Sequence, residues 1–186
     1  MGAFDTGVAH SDTWFREIIK RQPLPYSLEA YLDIETTGLS PAYHRITTIG
    51  IYLTDGTNAR FVQLVGEEVT AENILEALQG VTVIYTYNGS RFDLPFIRLY
   101  AGIDLTTLYQ HCDLMYHCWR NDLYGGLKAV EQRLGIKRKL KNINGYDAVR
   151  LWWQYRNEYD ENALLTLLEY NKEDVINLKA LKERLL

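Results

Sequence analysis

Cysteine is scarce in these 186 residues, with only Cys112 and Cys118 present. Two thiols cannot build a disulfide framework, so the fold must rest on its core, and this usage implies a reducing, cytoplasmic setting. Long apolar runs are missing too. No stretch approaches the roughly 20 residues that cross a bilayer, and the N-terminus shows no signal-peptide core, so no membrane partner is expected. Met1-Gly2-Ala3-Phe4-Asp5-Thr6 fits the loose myristoylation pattern, but so short a pattern recurs by chance and one acyl chain anchors only marginally. A basic excess is also lacking. With 20 Lys and Arg against 24 Asp and Glu, the formal net charge is -4, so no global field announces a polyanionic partner. A local basic patch balanced by an acidic site is compatible with that total.

What is present is an ordinary globular balance, 47% hydrophobic and 24% charged, in a chain long enough for one domain with a full core. Ser11 can cap a short amphipathic helix through Trp14, Ile18 and Ile19, closed by Pro23 and Pro25. The first strand runs through Asp33 and Glu35. Ile46 to Thr54 is apolar and β-branched, a second strand; Asp55-Gly56 signals a hairpin into a third strand from Ala59 to Val65. Thr70 opens a helix carrying Ile74, Leu75 and Leu78 that stops at Gly80. Val81 to Tyr87 is continuously β-rich, which predicts a central strand buried on both faces. A helix follows from about Pro95 to Tyr100. Helical spacing then recurs at Leu127, Val130 and Leu134, over Ala148 to Tyr155, and from Ala163 to the end. A three-strand meander, alternating helix and strand, and a helical tail predict an α/β sandwich around a mixed sheet. No repeat or linker divides it, so a single domain over residues 1–186 is expected.

The organising stretch is Tyr31-Leu32-Asp33-Ile34-Glu35-Thr36-Thr37-Gly38-Leu39. Alternate strand residues share a face, so Asp33 and Glu35 point together while Ile34 enters the core. Paired carboxylates are costly to bury without a cation, and a hard divalent ion with oxygen preference suits them; two hydrated acids at a strand end are the plain alternative. Three other places bear on this pair. Asp93, in Asn88-Gly89-Ser90-Arg91-Phe92-Asp93, follows a strand end, where open α/β sheets place their sites; it also suits a helix cap. Tyr170 and Asp174 lie four apart on one helix face. Asp113 reads as a helix cap.

Together these residues resemble the DEDD family of 3′–5′ exonucleases. Its Asp-x-Glu strand matches Asp33 and Glu35, its Asn followed by Phe-Asp matches Asn88, Phe92 and Asp93, and its Tyr-x-x-x-Asp matches Tyr170 and Asp174. Tyrosine in that place marks the DEDDy branch; the histidine branch would carry His where this chain has Glu169. Gly126-Leu127-Lys128-Ala129-Val130-Glu131-Gln132-Arg133-Leu134-Gly135-Ile136 and Tyr170 to Val175 are similar to the YprB-type ribonuclease-H-like domain. The resemblance covers about Ala30 to Leu181 and leaves the first 25 residues as an extension without an assigned role. It implies a ribonuclease-H-like fold, with a mixed sheet of a three-strand antiparallel meander plus parallel strands, flanked by helices.

The resemblance further implies a metal-dependent 3′–5′ exonuclease acting on DNA or RNA, at a single-stranded 3′ end, with two Mg2+ or Mn2+ ions. Asp33 would bridge the ions, Glu35 and Asp174 would complete the site of the attacking water, and Asp93 would hold the second ion. Tyr170 would orient the water, since a phenol near pKa 10 is a poor base. Asn88 and Phe92 would shape the site or touch the terminal nucleotide, with plain core packing an equal alternative for Phe92. The basic run Lys137-Arg138-Lys139-Leu140-Lys141 reads as phosphate contact or as a solvated face, and Arg45, Arg91 and Arg120 border the site loops. Trp119, Trp152, Trp153 and Tyr155 are candidates for base stacking, with at least one of Trp152 and Trp153 expected in the core. His111-Cys112 and His117-Cys118 lack the spacing of a zinc hairpin. Rival readings are a structure-specific endonuclease on the same fold and a binding module with a vestigial site.

Overall fold

A computed structural model describes residues 28–186. The helix expected from Ser11 to Ile19, Pro23, Pro25 and the Met1–Thr6 pattern lie outside the described residues. Among the described residues there are five strands: β1 (Leu28–Thr36), β2 (Ile46–Thr54), β3 (Ala59–Val65), β4 (Val81–Thr86) and β5 (Gln110–Asp113). The helices are α1 (Ala71–Ala77), α2 (Asp93–Ala101), α3 (Leu114–Arg120), α4 (Leu127–Leu134), α5 (Gly145–Glu158) and α6 (Glu161–Leu185). The sheet order is β3-β2-β1-β4-β5. β1, β2 and β3 pair antiparallel, while β4 and β5 run parallel to β1. The mixed sheet is therefore the expected meander with parallel strands added at one side.

Local chemistry explains most boundaries. The Thr70 hydroxyl accepts from the Asn73 amide and caps α1, Asp113 accepts from Met115 to cap α3, and Asn144 with Asp147 forms a capping box on α5. The alternation along β1 divides its side chains between two layers. Ala30, Leu32 and Ile34 enter a core with Ile74, Phe96 and Ile97, beneath α1 and α2. Tyr31 faces the other side, where it stacks on Tyr85 and packs with Leu114, Val130, Val175 and Leu178 of α3, α4 and α6. A third cluster, including Trp152 and Leu167, joins α5 to α6.

Two details differ from the sequence reading. The middle place in the sheet belongs to β1, not β4, and Thr82 of β4 is exposed. Burial on both faces is reached only at Ile84, Tyr85 and Thr86, where the flanking helices cover the strand. The short β5 was not expected at all, because Gln110-His111-Cys112-Asp113 has neither length nor alternation.

This topology opens the sheet at one place. The β1–β4 ladder ends at the Tyr31–Tyr85 pair, so beyond it β1 carries Asp33 and Glu35 past its neighbour. On the other side the β1–β2 register slips between Glu35 and Thr36, a bulge of the kind that re-aims side chains near sites. The C-terminal ends of β1, β4 and β5 face this opening together, the place where α/β sheets put ligands.

Candidate metal centre

Asp33, Glu35 and Asp174 each present a carboxylate oxygen within 4.8 Å of the others. The first two come from alternate positions of β1, and the third is brought over the sheet by α6. The approach of α6 depends on Gly50, the β2 partner of Asp33. A Cβ there would run into the Asn171 side chain and the Val175 methyl. Asn171, fully buried, uses this space: its amide donates to the Asp33 carbonyl at 3.2 Å and to Asp33 Oδ2 at 3.1 Å. Gln63 of β3 donates in turn to Asn171 Oδ1 at 3.1 Å and to the Leu168 carbonyl at 2.9 Å. A relay from β3 through α6 thus fixes Asp33.

Asp93 is the first residue of α2 and is buried. Its Oδ1 accepts from the Ile34 amide at 3.2 Å, a donor left free where the β1–β4 ladder stops. It lines the same cavity as the other three acids but lies outside their tight group. The loop leading to it is held by Asp113, which accepts from the Asn88 and Ser90 amides at 2.8 and 3.0 Å. That grip keeps Asn88 in the left-handed region, φ 62°, which asparagine tolerates better than most residues. Asp113 therefore caps α3 and pins the Asn88–Ser90 loop.

Asp174 has its own support. Arg138 Nη2 donates to Asp174 Oδ1, and its Nε and Nη2 form a fork on Glu131 at 2.7 and 3.1 Å. Asn177 donates to Glu131 Oε1 at 3.0 Å. The Glu131 residue is 1% exposed and the Arg138 side chain 6% exposed, so this is an interior ion network. Sequence reasoning missed Gly50, Gln63, Asn171 and Glu131 as supports. Asn171 and Glu131 lie within the matching motifs, yet nothing in the sequence signals that Asn171 turns inward to Asp33 or Glu131 to Arg138.

The electrostatics match a cation site. Burial pushes Asp33 and Glu35 well above the usual carboxylate range, and the neighbouring Asp174 and Asp93 charges push them further. Burial raises Asp93 to about 7, with Asp113 and Asp174 adding to the rise and the Ile34 amide opposing it. Burial raises Asp174 as well, and Arg138 holds it back at about 6. Burial and the surrounding carboxylates drive the Tyr170 phenol up. Acids that resist ionisation together are relieved by a divalent ion, and an all-carboxylate donor set fits magnesium or manganese.

The remaining expected residues divide by position. Tyr170, Asn88 and Phe92 line the acidic cavity, whose volume is about 220 Å³, along with Leu39, Gly145 and Val149. Arg45 and Arg91 are exposed, Arg91 lying 5.8 Å from the Trp119 ring centre. Lys137, Lys139 and Lys141 are exposed, whereas Arg138 turns inward onto Glu131 and Asp174. Trp152 is core and Trp153 is exposed. His111 bonds Thr86 and His117 bonds Cys112; among the described residues no group of three or more metal-ligating side chains other than Asp33, Glu35 and Asp174 forms.

A five-stranded mixed sheet with an acidic cluster at its C-terminal strand ends is the arrangement of an RNase H-like fold. Residues 30–186 match the family model for the RNase H superfamily, and the chain belongs to that family. It is 29% identical over 169 residues to the uncharacterized protein MJ0365 of Methanocaldococcus jannaschii, covering 79% of this chain and 89% of that one. Identity to YprB of Bacillus subtilis is 28% over 166 residues, covering 81% of this chain but only 40% of YprB. Among solved structures, Brucella melitensis NrnC bound to pGG superposes with a TM-score of 0.57 at 22% identity, over 86% of this chain and 74% of NrnC.

Proposed function

We propose that this protein is a metal-dependent 3′–5′ exonuclease hydrolysing phosphodiester bonds of DNA or RNA. The observation that carries the reading is the triad Asp33, Glu35 and Asp174, with ligand oxygens within 4.8 Å of one another and Tyr170 and Asp93 in the same cavity. The NrnC structures, one with pGG and one with bound Mg2+, support nucleic acid and a divalent ion as the chemistry to test.

Asp33, Glu35 and Asp174 would hold the metal, with Asp93 beside them for a second ion. Divalent ions in such a site neutralise phosphoryl charge and lower the pKa of a bound water. The chain's own groups set the rest. Asn171 fixes the rotamer of Asp33, and Arg138 occupies one oxygen of Asp174 and leaves the other for the ion. Tyr170 keeps its proton at neutral pH, because burial and carboxylate neighbours raise it, so it positions water or phosphate by hydrogen bonding and does not act as a base. Asn88 and Phe92 form the cavity wall that would meet the terminal nucleotide.

The test is digestion of end-labelled DNA and RNA by the purified chain with Mg2+, with Mn2+ and with excess chelator. Metal-dependent loss of terminal nucleotides is the expected result. Cleavage that persists under chelator would refute the metal mechanism.

A further inference from the structure

A second cavity, of about 550 Å³, is lined by Lys128, Glu131, Lys137, Arg138 and Lys141 among others. None of these residues lines the acidic cavity. Four cationic side chains stand against one carboxylate, and that carboxylate is already taken up by the Arg138 fork and Asn177. Two of the cations also have spare donors. Lys128 Nζ and Arg138 Nη1 are buried and donate to no protein acceptor, although Lys128 sits 4.5 Å from the Tyr170 ring centre. Unused buried donors on charged groups are costly and call for a ligand or solvent partner. Lys137 and Lys141, which also line the cavity, are exposed.

We infer that this cavity is a binding site for a phosphate group, separate from the metal cluster and joined to it by Arg138. The shape of the network supports that class of ligand. Four cationic residues lining one cavity with a single, already paired carboxylate suit the several oxygens of a phosphate mono- or diester. Because Arg138 also holds Asp174, an anion in the cavity draws on the same guanidinium that steadies a metal ligand. Occupancy of the two sites is therefore coupled, and by linkage the coupling is reciprocal. The phosphate can come from the substrate strand or from a free nucleotide; the strand case rests on the nuclease reading above, the free case does not.

The test uses the full chain without added metal and titrates inorganic pyrophosphate by calorimetry. Saturable binding that weakens at least tenfold in the double variant Lys137→Ala/Lys141→Ala is expected. Both side chains are exposed, so the variant keeps its fold, which a melting curve checks. An oligonucleotide titrated in competition separates the sources. If pyrophosphate displaces it from the wild type but not from the variant, the strand occupies the cavity. If pyrophosphate binds through the two lysines without displacing the strand, a free nucleotide does. Absence of pyrophosphate binding, or equal affinity in wild type and variant, overturns the inference. A chain that binds pyrophosphate in this way but cuts no nucleic acid would leave the cavity standing and remove only the nuclease reading.

Discussion

At the scale of single residues, Tyr170 and Asp174 share a helix face and a cavity, and separate roles are proposed for them. Asp174→Ala removes a charge from the acidic triad and, on the proposed function, should weaken metal binding together with turnover. Tyr170→Phe removes only a neutral hydroxyl, so metal affinity should hold while the single-turnover rate falls by about 10²–10⁴, less if the phenol merely orients. Calorimetric metal titration beside single-turnover kinetics checks both; a wild-type rate in Tyr170→Phe would reduce the tyrosine to packing. Glu131 makes a third case. Glu131→Gln breaks the fork that aims Arg138 at Asp174, and metal affinity should drop roughly 10–100-fold, as for other groups that orient metal ligands. Melting behaviour that collapses along with affinity would instead mark Glu131 as purely structural.

At the scale of elements, α6 and β1 make the site because Gly50 lets them touch. Replacing Gly50 by Val puts a side chain where Asn171 and Val175 now sit. A cost of about 1–3 kcal/mol is expected for such overpacking, read as a lower urea midpoint at unchanged slope. An unshifted midpoint would mean that α6 is not seated as described. The same element pair shows what a sequence reveals. β2 and β3 were legible to their ends, since β-branched runs flank an Asp-Gly turn, and the Asp-x-Glu pattern marked the acidic strand. Gly50 was not, because a glycine in a strand says nothing of which helix will cross it. Nor was the inward turn of Arg138: inside a run of lysines it reads as one more solvated charge, and only its place between α4 and α6 pairs it with Glu131. β5 escaped because its four residues depend on β4 for pairing.

At the scale of the whole molecule, the buried acids should tie stability to pH and, if they hold the proposed ions, to metal. Asp93 and Asp174 have folded-state values near 7 and 6, above about 3.9 in the unfolded chain. The folded state therefore binds more protons between these values, and stability falls as pH rises through them. The metal-free protein should melt at a lower temperature at pH 7.5 than at pH 5. Mg2+ or Mn2+ should recover more at the higher pH, since only the ionised acids bind it, with proton release on binding. A metal-free melting temperature that climbs over this range would contradict the assigned burial of the acids. Among the described residues no helix is long and apolar enough to cross a membrane.

The activity proposed for the acidic cluster is the trimming of nucleic acid from a free 3′ end. It is tested most directly by offering the chain equal amounts of one single strand in three forms: linear with a free 3′ hydroxyl, linear with a blocked 3′ end, and circular. With Mn2+ present, the free linear strand should shorten stepwise to mononucleotides while the blocked and circular forms survive. Cutting of the circle at a comparable rate would contradict the exonuclease assignment and make the same carboxylates the centre of an endonuclease.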